Sequence, residues 1–124
     1  LVMSDAVIDG VRVDVVIDTG AESSVGNRAL QQALARRGQS AQVLLTSVTG
    51  QQALADVGMG RKLELGGMSF LNVKLAYLDS PAFAALGLKR RPAMLLGMEQ
   101  LRLFDRVAID FARRKILFDG KWDD

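Results

Sequence analysis

A mostly β domain with one or two short helices is what the sequence predicts, and three observations predict it. Short runs rich in β-branched and other apolar residues recur along the chain, Val11–Ile17 being the clearest. Turn signals punctuate them at Asp9-Gly10, Thr49-Gly50 and Gly66-Gly67. Apolar spacing of three and four residues, the mark of an amphipathic helix, is confined to residues 28 to 38 and a short stretch after Gly97.

Taken in order, Leu1 to Ile8 is apolar enough for a strand, Asp9-Gly10 turns it, and Val11 to Ile17 returns. Ser23-Ser24-Val25 is a short extended piece. Asn27 is placed to cap a helix through Ala29, Leu30, Ala33 and Leu34 to Arg37, with Gly38 as its stop. Gln42 to Val48 and Gln51 to Val57 form a hairpin around Thr49-Gly50. Three shorter strands follow, Arg61 to Leu65, Met68 to Leu71 and Val73 to Leu78, although Asn72 could merely punctuate one longer strand. Pro81 to Leu86 suits a single helical turn ended by Gly87, and Pro92 to Leu96 a short buried strand leading to Gly97. Glu99 to Phe104 has helical spacing. A last hairpin joins Val107–Phe111 to Lys115–Phe118 through Ala112-Arg113-Arg114.

Composition narrows the chemistry. The 124 residues, 49% of them hydrophobic, match one domain over residues 1–124 with a real core. Cys and His are both absent, which excludes disulfides, thiol nucleophiles, His-based triads and most zinc sites. Catalysis, if there is any, must rest on carboxylates, hydroxyls, Lys or Arg, and nothing calls for a metal or cofactor. The charge of +2, from 16 basic and 14 acidic residues, demands neither a nucleic acid nor an anionic membrane. Lys89-Arg90-Arg91 and Arg113-Arg114-Lys115 read as solvated loop edges, and 6% aromatic content offers no stacking platform for a nucleic-acid adaptor. No apolar run approaches the ~20 residues of a membrane span, and no signal-peptide pattern opens the chain. A start at Leu1 rather than Met suits a piece excised from a longer chain, so localisation stays open between the cytoplasm and a periplasmic or membrane-tethered setting.

The chemistry concentrates in Asp18-Thr19-Gly20-Ala21. A β-branched strand delivers the Asp18 carboxylate to its end, Thr19 adds a hydroxyl, and Gly20 permits a sharp turn and a close approach of another backbone. By chance such a tripeptide would occur in roughly 2% of chains this long, so its weight comes from a second element, Leu95-Leu96-Gly97, far downstream.

Together, a strand ending in Asp-Thr-Gly-Ala, a hairpin with Gly near its tip and an apolar-apolar-Gly element opening a helix resemble the retropepsin family of aspartic proteases. The bacterial retropepsin-like branch is the nearest in pattern, and the resemblance runs from Val11 to Phe118. It implies a closed-sheet acid-protease domain acting as a homodimer on extended peptide or protein substrates. It makes Asp18 the catalytic carboxylate, Thr19 the hydroxyl bracing the active-site loops across the dimer, and Gly20 a carbonyl that meets substrate backbone. Ala21, Glu22 and Val25 fall at substrate-binding positions, with Val48, Thr49 and Gly50 at the flap. Ala93 and Leu95 fall where family members line the pocket nearest the cut bond. Retroviral members carry Arg directly after the downstream Gly; here Met98 stands there, so Glu22 is expected to lack that partner.

Two carboxylates held ~3 Å apart cannot both ionise, and sharing one proton lets the pair supply base and acid together. One Asp-Thr-Gly occurs here, since neither Asp110-Phe111 nor Asp119-Gly120 repeats it, so the mechanism requires a second copy of the chain. The alternative is a catalytically silent retropepsin-like dimer that serves as a binding or assembly module.

Overall fold

A computed structural model of the chain describes residues 1–37, 41–46, 49–103, 107–110, 113, 115–118 and 121–122. Val2–Ile8 (β1) and Val11–Ile17 (β2) form the first hairpin, with Ile8 opposite Val11 across the two-residue Asp9-Gly10 turn. A bulge at Ser4-Asp5 shifts the register by one. Because side chains alternate along a strand, that extra residue is what lets Met3, Ala6 and Ile8 all face the same core.

Val25–Gly26 (β3) leads into a helix over Arg28–Ala35 (α1), shorter at its end than the sequence suggests. Asn27 caps it as expected: its Oδ1 accepts from Leu30 N at 2.9 Å. Leu30 and Leu34, four apart on one face, are fully buried, each contributing about 2 kcal/mol by its removal from water. Gly38 lies outside the described residues.

Ala41–Thr46 (β4) and Gln52–Leu65 (β5) make the second hairpin, and Met68–Tyr77 (β6) returns along β5. Here the sequence misleads. The two strands expected at Gln51 to Val57 and Arg61 to Leu65 are one strand of 14 residues. Gly58 and Gly60 look like a break, yet each makes room for a neighbour: a Cβ on Gly58 would stand 2.9 Å from the Tyr77 ring, and one on Gly60 would collide with Ile8. Asn72 punctuates a single strand, with φ of 54° and no change of register on either side of it.

Pro81–Ala85 (α2) starts with Ser80 as its cap and Pro81 in its first turn. It is followed by Ala93–Leu96 (β7), every residue of which is buried, and by the single turn Met98–Leu101 (α3), briefer than the expected Glu99 to Phe104. Val107–Asp110 (β8) and Lys115–Phe118 (β9) pair as expected, and Lys121–Trp122 (β10), which the sequence did not signal, adds a third strand to that separate sheet.

The main sheet runs β1-β2-β7-β3-β6-β5-β4, and pairing of Val7 with Glu64 and Ile8 with Leu63 closes its six inner strands into a barrel. Asp9 seals the seam. Its carboxylate accepts from Arg61 N and Lys62 N, both at 3.0 Å, while its own N–H donates to Lys62 O at 3.1 Å. Inside the barrel lie Val13, Val15, Ile17, Leu63, Leu65, Phe70, Val73, Leu75, Met94 and Leu96, with Leu30, Leu34 and Leu101 from the helices. Beyond the Asp56–Tyr77 pair, β5 keeps only β4 as a partner, so the hairpin tip projects from the barrel as a two-stranded ribbon. Among the described residues no helix is long and apolar enough to cross a membrane.

Candidate active site

The barrel places Asp18 and Gly97 side by side. β2 and β7 run parallel, with Ile17 beside Leu96, so Asp18 and Gly97 emerge together at the same end. Asp18 N donates to Leu96 O at 3.0 Å. Its carboxylate is half-buried, and Oδ1 accepts from Gly20 N at 3.0 Å, which fixes the plane of the group. Thr19 and Gly20 are exposed beside it.

The loop after Asp18 is bolted to the start of α3. A helix leaves its first N–H groups without internal partners, and α3 has no side-chain cap of its own. The Ala21 and Glu22 carbonyls accept from Met98 N at 2.8 Å and Glu99 N at 2.9 Å. The buried Ser24 hydroxyl accepts from Gly97 N at 3.0 Å and donates to Gln100 Oε1. The fit leaves no room at Gly97, where an added Cβ would stand 2.7 Å from Ser23 O and 2.8 Å from Glu22 O.

Thr49 and Gly50 are exposed at the tip of the β4–β5 hairpin; Val48 lies outside the described residues. Val25 is half-buried, opposite Leu95 on one side and Ala76 on the other. Ala93 and Leu95 are buried within this single chain. They are 0% and 6% exposed, in a cluster with Val16, Phe83 and Leu88 on the outer face of the barrel. Among the described residues no three acidic side chains converge to hold a metal ion.

The profile of the aspartyl protease family matches residues 4–100, the stretch that holds both the Asp18 loop and Gly97. The chain belongs to that family. Two solved structures show how this aspartyl protease-family domain is built. A retropepsin-like aspartic protease from Rickettsia conorii superposes with a TM-score of 0.57 at 21% identity, over 88% of this chain and 75% of its own. The retroviral protease-like domain of Ddi1 from Leishmania major gives 0.61 at 16% identity, over 98% and 90%. At such identities they attest a retropepsin-like fold. No curated protein matches the chain.

One expectation for this aspartyl protease-family domain needs correction. Glu22 does have a cationic partner: Arg102, just past α3, places Nη1 against Oε1 and Nη2 at 2.8 Å from Oε2. The signal was present in the spacing, because one helical turn brings a residue four beyond Met98 back to the same side. The hydrogen bond from Arg102 holds the Glu22 carboxyl below its ordinary range. A lowered folded-state pKa means the pair stabilises the fold above the unfolded carboxylate range and loses that effect as pH falls through the folded value. Both groups are solvent-exposed, so the effect on stability is small. In an Arg102→Met variant the Glu22 carboxyl, followed by carbon NMR, should titrate at higher pH than in the wild type. Equal midpoints would show that the pair does not persist in solution.

Proposed function

We propose that the chain is an aspartic endopeptidase that works as a homodimer. The observation that carries this reading is the seat of Asp18: one half-buried carboxylate per chain, fixed by Gly20 N–H at the open end of two parallel strands. Asp18 from each of two copies would share one proton and activate a water against the scissile carbonyl. Thr19 would brace the two loops, and the Gly20 carbonyl would meet substrate backbone. The β4–β5 hairpin, with Thr49-Gly50 at its tip, would close as a flap and bind an extended peptide through strand-type hydrogen bonds. Ala21, Glu22 and Val25 would lie along that peptide.

A shared site ties activity to association. Specific activity should fall as the protein is diluted through its dimer dissociation range, measured by peptide cleavage in parallel with sedimentation. A monomer at every concentration with constant specific activity would rule out the shared pair. A dimer that cleaves nothing would point instead to a silent binding or assembly module.

A further inference from the structure

The outer face of the barrel beside Asp18 is already occupied. Along β2, Val13, Val15 and Ile17 point into the barrel, Val16 points out, and Asp18 continues the outward series two residues on. In β7 Met94 and Leu96 point in, while Ala93 and Leu95 point out. The pairing then sets five apolar side chains in one row across the sheet: Val16, Leu95, Val25, Ala76 and Val57. At the Asp18 end this row is covered, because Phe83 of α2, 0% exposed, and Leu88 cluster with Val16, Ala93 and Leu95.

The cover is anchored. Residues 78–92 leave the sheet between β6 and β7, and Asn27 Nδ2 holds their return by donating to Leu88 O at 2.9 Å and Arg91 O at 2.8 Å. Arg91 in turn pairs with the buried Asp14 carboxylate at 2.7 Å. The other end of the row is open. There Val57, Met59 and Ala76, with Ser23, Lys74 and Glu99, line a groove of about 490 Å³.

We infer that Phe83 is a specificity-determining residue: it fills the apolar floor beside Asp18, so substrates carry a small side chain next to the cut bond and a bulky apolar one farther out, in the groove. The inference rests on the proteolytic reading above. Three strand spacings of roughly 4.8 Å separate Val16 from Ala76, which an extended peptide covers in about four residues.

The test is a cleavage profile of the wild-type protein on a proteome-derived peptide library, with cut sites read by mass spectrometry. Gly, Ala and Ser should be enriched beside the bond, and Leu, Met or Phe about four positions away. Phe83→Ala should raise the relative rate at bonds flanked by bulky residues at least tenfold. Phe83→Leu, checked by thermal melting, should shift the profile the same way by less and serves if the alanine variant does not fold. Wild-type cutting between bulky residues as readily as between small ones would overturn the inference alone, as would a folded Phe83→Leu with an unchanged profile. A wild type that cuts no peptide overturns the proteolytic reading and the inference with it.

Discussion

Replacing Asp18 with Asn is expected to abolish peptide cleavage, by roughly a thousandfold or more, since in the proposed homodimer it would remove both the general base and the general acid. The fold should survive. Asn keeps an oxygen in the position that accepts Gly20 N–H, and Thr19 and Gly20 beside it are exposed. Melting within a few degrees of wild type would therefore accompany the loss. The same variant bears on association. In the homodimer proposed above, two Asp18 carboxylates would meet at the interface and repel when both are charged. The Asn variant lacks that repulsion, so it should dimerise at least as tightly as wild type at neutral pH, which sedimentation would show. Retained cleavage by the variant would remove Asp18 from the mechanism.

Among the described glycines, Gly97→Ala should be the most damaging methyl addition. The atoms in its way are backbone oxygens of Ser23 and Glu22, which cannot rotate aside like a flexible side chain. Relieving the clash means lifting the loop off α3 and lengthening the bonds from Met98 N to Ala21 O and from Glu99 N to Glu22 O. Overpacking plus weakened hydrogen bonds costs about 2–4 kcal/mol, a fall in melting temperature of roughly 5–15 °C for a domain of this size. On the proposed function, activity should fall further than stability explains, because the displaced loop starts at Asp18 and a shift of about 1 Å at a reacting group can cost a hundredfold. A variant that melts and cleaves like wild type would mean the loop is not clamped at Gly97.

Much of this was readable from the residues, and the rest failed for identifiable reasons. Asp9-Gly10, Asn27, Pro81 and Gly87 act locally, through their own backbone preferences, and the elements they begin or end fall where the sequence puts them. Asp18-Thr19-Gly20 and Leu95-Leu96-Gly97 were both legible as short motifs, and the parallel pairing of β2 with β7 is what sets them side by side. Gly58 and Gly60 were misread because a missing side chain looks the same whether the chain turns or a distant ring fills the gap; Tyr77 and Ile8 fill it here. Ala93 and Leu95 were expected beside the pocket nearest the cut bond, but Phe83, which clusters with them, arrives from an excursion whose landing place no local pattern encodes. Arg102 gives no signal beside Gly97, because it reaches Glu22 from one helical turn farther on.

The parallel pairing of β2 with β7 also sets an order in time. Its partners lie about eighty positions apart in the chain, and such distant pairing must wait for the ends of a long loop to meet. During synthesis the Asp18 strand emerges early and can pair with β1 at once, yet the carbonyl of Leu96 that seats Asp18 comes only after most of the domain has left the ribosome. A nascent or truncated chain ending before β7 thus carries the carboxylate without its seat. Whatever chemistry Asp18 performs is withheld until the barrel is nearly complete, a delay written into the connectivity of the fold.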